Sequence, residues 1–587
     1  IIYAQGDHAL ARYGALARDG VTCTVCHHMA ATGLGQERSY TGQFEVNKAD
    51  EIYGPYDNDL KAQPMKQLLG LSVRGGAHMR SSAMCGSCHT VILPRVPAGY
   101  RGDCFTDGRL AREHEQTTYL EWRNSSFQNE LAPGPEARTC QNCHMPVQIE
   151  TQEGAAPITL ATKIANIEEW LPHVPSSLSE PEITLPERRP YARHSLVGIN
   201  VFVMQMFQQF AGVLGIARRD PRADGPEFLS SLKLSQREAV SLAQKQTARI
   251  EFSEPPKLSR DSGGSLLATV RVTNLTGHKF PSGVGFRRAF IEFVVRDGSD
   301  KIVWASGRTD ALGVILGENG QALPSEFTQD PTALQPHHSR ISRQDQVQIY
   351  EERNADQSGR LTTSFLSGFH RKKDTRLLPK GWVPRGQLAE LMQAVDVGGK
   401  KIYQDGSHVH ELTYAVPLGA AALGKPLFVQ ATIYYQSIPP YYLKDRFTTA
   451  QGPETQRLYL LASGLDTSGN LTDWKLPIAS TTFLVSSTCL PPPCWATAIR
   501  ASGTSISLPK TSTSTSTAAG SPPIPNSNLP SRFTSPRSAK PSSAMEEPWK
   551  ASRSCSTWSP TSITRPVWCL APPCCSTKRQ RTRTTIR

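Results

Sequence analysis

Cys23-Thr-Val-Cys26-His27, Cys85-Gly-Ser-Cys88-His89 and Cys140-Gln-Asn-Cys143-His144 are three copies of one pattern. Two cysteines three apart with a histidine directly after the second form the attachment signature of a c-type haem. The thiols add to the haem vinyl groups, and the adjacent imidazole becomes an axial ligand of the iron. The tight spacing lets one loop-to-helix turn present all three groups to one macrocycle. With 13 Cys and 15 His in 587 residues, about 0.01 matches are expected by chance. Zinc binding by Cys and His is the competing reading, but a zinc site needs no histidine directly after the second cysteine, three times over.

Haem attachment of this kind takes place outside the cytoplasm, so the expected location is periplasmic or extracellular, with the thiols ending as thioethers. Cys104 is the one other cysteine in the first 480 residues and reads as a plain thiol. The net charge of +13 is local. From Thr488 to Arg587 there are 13 Lys/Arg and two acids, which leaves 51 Lys/Arg against 49 acids in residues 1–487. Haem propionates would bring the body near neutral, so the basic balance does not indicate nucleic-acid binding. The tail holds 19 Ser, 15 Thr, 15 Pro and six Cys, with no His and no Asp. Such a composition predicts a disordered segment. It reads either as a Ser/Thr/Pro stalk or, preferably, as a stretch out of frame after about Val485. At the other end Ile1 is no initiator and no signal segment precedes it, so a missing N-terminal piece is expected. No transmembrane segment is expected: the most apolar stretch, Ser195–Ala217, is broken by Asn200, Gln205, Gln208 and Gln209.

The expected fold is a mainly α/irregular multihaem domain over residues 1–250, followed by an antiparallel β-sandwich domain over 251–487. A helix-like run starts at His8. Prolines punctuate 166–193. Helices are predicted over 198–219 and 235–250, the second with Ser235 as N-cap. Beyond Phe252 the hydrophobic period becomes two. Residues 268–273, 288–295, 301–304, 411–416 and 427–435 read as strands. Residues 312–407 read as a polar, loop-rich insertion with a short helical piece near Gln387–Val395.

Several stretches beyond the motifs carry a family resemblance: Glu115-Gln-Thr-Thr-Tyr-Leu-Glu-Trp122, His144-Met-Pro146, Arg193-His194-Ser-Leu-Val-Gly198-Ile-Asn200 and Asn274-Leu-Thr-Gly-His278-Lys-Phe-Pro281-Ser-Gly283. In these the chain, over about residues 8–450, resembles multihaem c-type cytochromes related to the hydroxylamine-oxidoreductase-associated tetrahaem group. That group usually carries a further motif upstream, which this sequence lacks.

His27, His89 and His144 are thus the proximal ligands, and Cys23, Cys26, Cys85, Cys88, Cys140 and Cys143 the attachment thiols of at least three haems. The sixth position of each iron decides function. A second histidine closes it for electron transfer, whereas an open position admits a substrate. Seven further histidines (8, 28, 78, 114, 173, 194 and 278) lie in the first 280 residues. His194 is the foremost distal candidate. It is expected to start a helix, and the resemblance places a ligand in that setting. His28 points away from the haem of His27, and in the resembling small cytochromes such a residue ligates a neighbour. His278 sits in a rigid Gly/Pro loop between strands. His8 would serve a haem whose motif is missing, and His78 precedes the second motif. His114 and His173 are less favoured, as are Met79 and Met145. His337, His338, His370, His408 and His410 read as surface residues. Tyr119 and Arg123 read as packing and propionate contacts.

The expected function is electron transfer between extracytoplasmic redox proteins, including other multihaem cytochromes, through mostly bis-His haems. The alternative is an oxidoreductase acting on a small nitrogen or sulfur compound at a five-coordinate haem. No Cys-x-x-Cys-Lys variant occurs. A third reading makes the β-domain a partner-binding module.

Overall fold

The computed structural model describes residues 20–56, 62–149, 156–163, 187–214, 231–259, 264–404, 406–418, 425–450 and 452–486, all within one compact unit. His8, His173, the run from 8 to 17, the stretch 166–186 and the tail 488–587 lie outside the described residues. Helices and mostly antiparallel sheets make up the rest. No helix among the described residues is long and apolar enough to cross a membrane.

Among the described residues from 20 to 163 the chain makes only short elements. Three helices carry the motifs: Cys23–His27, Ser82–His89 and Cys140–His144. Helices Gln63–Leu69 and Thr118–Arg123 lie between them in sequence. Strands β1 (Glu51–Gly54) and β2 (Ser72–Gly75) pair in parallel. β3 (Val91–Pro94) and β4 (Arg112–Gln116) form an antiparallel pair. So do β5 (Gln148–Ile149) with β6 (Ile158–Thr159), and β7 (Thr162–Lys163) with β8 (Glu187–Arg188). The buried hydrophobic residues described before residue 150 are Met29, Tyr40, Met79, Met84, Cys104, Tyr119, Leu120 and Trp122. That is little apolar material for a segment of this length.

The opposite holds after residue 248. Strands β9 (Ala248–Phe252), β10 (Lys257–Ser259), β11 (Ser265–Asn274), β14 (Arg340–Ile341) and β18 (Val409–Pro417) form one sheet. A second contains β12 (Arg288–Asp297), β13 (Ile302–Ser306), β15 (Ile349–Ala355), β16 (Leu361–Thr362), β17 (His370–Asp374), β19 (Leu427–Gln436) and β20 (Leu476–Val485). Pairing is antiparallel except between β14 and β18. Each stretch of period two coincides with a strand to within a few residues. Leu266, Ala268, Val270 and Val272 of β11 and Leu412, Tyr414 and Val416 of β18 share one core with Ile291, Phe293, Val295, Val429, Ala431 and Ile433 of the other sheet. Phe293 stacks on Tyr414 across it at 3.9 Å. Each such buried side chain contributes roughly 1.5–3 kcal/mol, so this core dominates the stability of the unit.

Several expectations need correction. The helix predicted over 198–219 begins at Val201 and breaks at Phe210 into Val201–Gln209 and Ala211–Leu214; positions 215–219 lie outside the described residues. His194 therefore does not start a helix but lies in an irregular segment ahead of one, inside a tight turn closed by Ser195 N donating to the Arg193 carbonyl at 2.9 Å. The helix predicted over 235–250 runs Ser231–Gln246, with Ser235 inside it, and gives way to β9. The alternation of Ala248 and Ile250 toward the core decides that boundary. Both helices bury Val201, Phe202, Met206, Ala239 and Ala243 in the sheet core. The 312–407 stretch contributes β14 to β17. β15 was hidden by its charge: Glu351 pairs with Lys373 at 2.8 Å, and Glu352 with Arg376 at 2.8 Å. A strand whose charges are paired internally reads as surface in the sequence.

Three histidines read as surface residues, His337, His338 and His410, are in fact buried. His410 belongs to the inward-facing set of β18 with Leu412 and Tyr414, and its Nδ1 meets the Tyr350 hydroxyl at 2.8 Å. Burial pushes His338 down to about 4 and His410 down to about 3, and drives His337 far below the imidazole range. Their unfolded forms take up protons below about pH 6.5. Stability is then full above that value and falls with acid by about 1.4 kcal/mol per pH unit for each histidine. For His338 and His410 the loss continues until pH reaches about 4 and about 3. Urea melts between pH 7 and 4 should show this slope, and the His410→Gln variant should show it reduced. An unchanged slope in the variant would refute the assignment.

Candidate functional site

Each motif folds as a short helical turn, which places the first cysteine, the second and the histidine on one face, at positions i, i+3 and i+4. Ser81 caps the second helix by accepting from Ala83 N at 3.2 Å. Thr139 and Asn142 close a capping box on the third, so an intervening motif residue also fixes the turn. The third helix docks on the second. Cys140 N donates to Ser82 Oγ at 3.0 Å, and Gln141 Nε2 to the Ser81 carbonyl at 2.9 Å. The Cys85 and Cys140 thiols lie close enough to act on each other, which raises the pKa of Cys85 and lowers that of Cys140. Cys88 is raised by burial and then by the nearby Cys26 thiol. The three motifs, far apart in sequence, thus come together.

Gly86 has a packing reason. A Cβ there would lie 2.5 Å from the Tyr119 ring, which is buried and held by its hydroxyl donating to Glu130 Oε2 at 2.6 Å. Gly86→Ala should destabilise the protein by about 1–3 kcal/mol through overpacking, visible in thermal melts. An unchanged Tm would show that the helix can retreat. Arg123 pairs with Glu130 at 3.4 Å.

All three motif histidines have Nδ1 engaged. His27 Nδ1 donates to the Tyr53 carbonyl at 2.5 Å, and His144 Nδ1 to the Val197 carbonyl at 3.0 Å. The Gln116 side-chain amide, whose oxygen and nitrogen exchange by a half-turn, meets His89 Nδ1 at 3.2 Å. This is the outer hydrogen bond that orients a metal-binding imidazole and leaves Nε2 for the metal. His89 is accessible to solvent, yet its pKa is depressed first by desolvation and then by His144, Arg287 and His278. A group both accessible and desolvated lines a hollow.

Two imidazoles on one metal at about 2.0 Å each have ring centroids roughly 6 Å apart. The rings of His27 and His194 lie 6.3 Å apart with planes 24° from parallel. The buried pair His337 and His410, at 4.3 Å, is too close for the same arrangement. The segment around His194 is clamped to the third motif: Leu196 N donates to the His144 carbonyl at 2.9 Å, and Arg193 N to the Pro146 carbonyl at 3.0 Å. Leu196 takes a left-handed φ of 48° there. The donor set, the hollow and the thin core all fit covalently held haem.

The other candidates are placed as follows. His28 Nδ1 donates to the Thr24 carbonyl of its own turn at 3.0 Å. His78 packs edge-on against Tyr53 at 4.7 Å, and its Nε2 donates to the Met29 carbonyl at 3.0 Å; it ties the second motif region to the first. His278 Nδ1 donates to the Lys279 carbonyl at 2.9 Å. Glu121 fixes the His278 loop by accepting from Lys279 N at 3.1 Å and Ser282 Oγ at 2.6 Å. Arg376 reaches the same carboxylate at 3.2 Å. The sequence reading missed Glu121 and Arg376 as positioning residues. Both sit where a charged side chain reads as solvated. Among the described residues, no three His, Cys, Asp or Glu side chains gather as a protein-only metal cage.

No protein-family model matches the sequence, and no curated protein matches it. Among solved structures the chain is similar to a penta-heme cytochrome c552 from Thermochromatium tepidum, at 16% identity and a TM-score of 0.37, over 79% of this chain and 77% of that chain.

Proposed function

We propose that this protein is a multihaem c-type cytochrome that carries electrons between extracytoplasmic redox partners. The observation that carries the reading is the threefold Cys-x-x-Cys-His pattern with Nδ1 of every motif histidine already hydrogen-bonded. Bound haem supplies a reversible one-electron store in each motif. The chain's own residues do the rest. Cys23 and Cys26, Cys85 and Cys88, and Cys140 and Cys143 anchor the macrocycles. His27, His89 and His144 are the proximal ligands. His194 would supply the second imidazole to a haem held by His27. His278 serves the second or third motif from its loop. His28 and His78 remain the candidates on the first-motif side. The two-sheet body is read as the β-sandwich of residues 251–487, which scaffolds the haem region through the His278 loop.

One observation favours a second reading. His278 acts electrostatically on His89 and lies close enough to His144 to be affected by it. If one imidazole serves only one of the two, the other iron is open to a small nitrogen or sulfur substrate. Haem stoichiometry and electron paramagnetic resonance of the oxidised, haem-matured chain decide. At least three covalent haems with only low-spin signals support the electron carrier. A stoichiometric high-spin signal supports the oxidoreductase, and absence of covalent haem refutes both.

A further inference from the structure

Glu115 lies on β4, next to Gln116, whose amide contacts Nδ1 of His89. Its Oε1 is buried without a hydrogen-bond partner. The Gly285 backbone lines the cavity beside its carboxylate. Across from it stands the carboxylate of Glu352. Arg287 and Arg95 act on Glu115, and Arg376 and Arg371 pair with Glu352 at 2.8 and 3.5 Å. His114 and Arg353 line the same cavity of about 40 Å³, which is large enough to admit water, and Tyr442 faces it from the Pro440–Thr449 helix. Two carboxylates at one buried place favour protonation of one of them. Arg287 links this place to the second motif, since its charge acts on both Glu115 and His89.

We propose that Glu115 is a redox-linked proton site: when the second-motif iron accepts an electron from the partner redox protein, Glu115 takes up one proton from solvent, and it releases that proton on reoxidation. The inference rests on the haem reading above. The balance is one electron from the donor protein and one proton from solvent hydronium through the cavity: a hydronium O–H breaks and the carboxyl O–H forms, and the reverse takes place on reoxidation. Burial first, and then Glu352, raise the Glu115 carboxyl to about 7, so it titrates under ordinary conditions. An added electron raises it further, and by reciprocity the proton makes reduction easier. The sign follows. Below this value the group is protonated in both redox states, and the potential is flat. Above it, the potential falls as pH rises, until the reduced form also loses the proton.

The test is a spectroelectrochemical titration of the haem-loaded full chain at a series of pH values. One haem should show a potential that starts to fall near pH 7. Glu115→Gln should hold that haem at its acid-side potential throughout. Glu352→Gln removes the like charge, so its falling region should begin at lower pH. Infrared difference spectra of the wild type should show a protonated carboxyl appearing on reduction; this reads the proposal even if Glu115→Gln fails to load haem. Flat wild-type potentials with intact haem spectra, or a Glu115→Gln slope equal to wild type, would overturn it. Absence of haem would instead sink the function from which it starts.

Discussion

Replacing His194 by alanine is expected to turn one haem from low-spin to high-spin while leaving haem content unchanged. The two properties separate because the first motif keeps both thiols and His27, which suffice for attachment. Only the second imidazole is lost. The expectation rests on the 6.3 Å ring separation and on how the segment is held. Arg193 pairs with Glu238 at 2.5 Å, and backbone bonds tie residues 193 and 196 to the third motif. The left-handed φ of Leu196 costs roughly 1–2 kcal/mol. Strain of that size persists where surrounding structure enforces it, and here it aims His194 back at His27. Paramagnetic resonance of the oxidised variant should show one new high-spin signal, and added imidazole should remove it. If every haem stays low-spin, another residue closes the first motif.

The haem-attachment pattern was legible because it is local. A motif of five residues needs no tertiary context, and neither does the period of two that marks β11, β12, β18 and β19. What stayed hidden depends on partners distant in sequence. Nothing at Glu121 announces that its carboxylate meets Arg376, 255 residues later. Nothing in Ile349–Ala355 shows that its charges face Lys373, Arg371 and Arg376. His410 is different. Its place in step with Leu412, Tyr414 and Val416 was readable, and the general expectation that histidines lie on the surface prevailed over the alternation. His194 was singled out for its neighbourhood, and the helix start expected there was misplaced because Asn200, not His194, caps the helix through Val203 N.

Arg376→Met should be the most damaging single change outside the motifs. Arg376 is buried and bonds Asp374 at 2.8 Å, Glu352 at 2.8 Å and Glu121 at 3.2 Å. Lys279 supports the same group at 2.7 Å from Asp374. Desolvation works to raise the Glu121 and Asp374 carboxyls, but Arg376 and Lys279 outweigh it and hold both below the ordinary range. Removing the guanidinium leaves buried carboxylates without their main counter-charge, which costs about 3–5 kcal/mol. The pH dependence should change with it. In the wild type, depressed carboxyl pKa values give stability that is full above about pH 4 and lost as acid protonates the pairs. In the variant, acid should restore part of the loss by neutralising the stranded charges. Glu121→Gln added to Arg376→Met should recover part of it at neutral pH. Denaturant melts with and without the second substitution test this, and additive effects would show that the two groups do not interact. Because Glu121 also holds the His278 loop, the single variant should disturb the haem spectrum as well as stability. A purely structural ion pair remote from the haems would leave that spectrum unchanged.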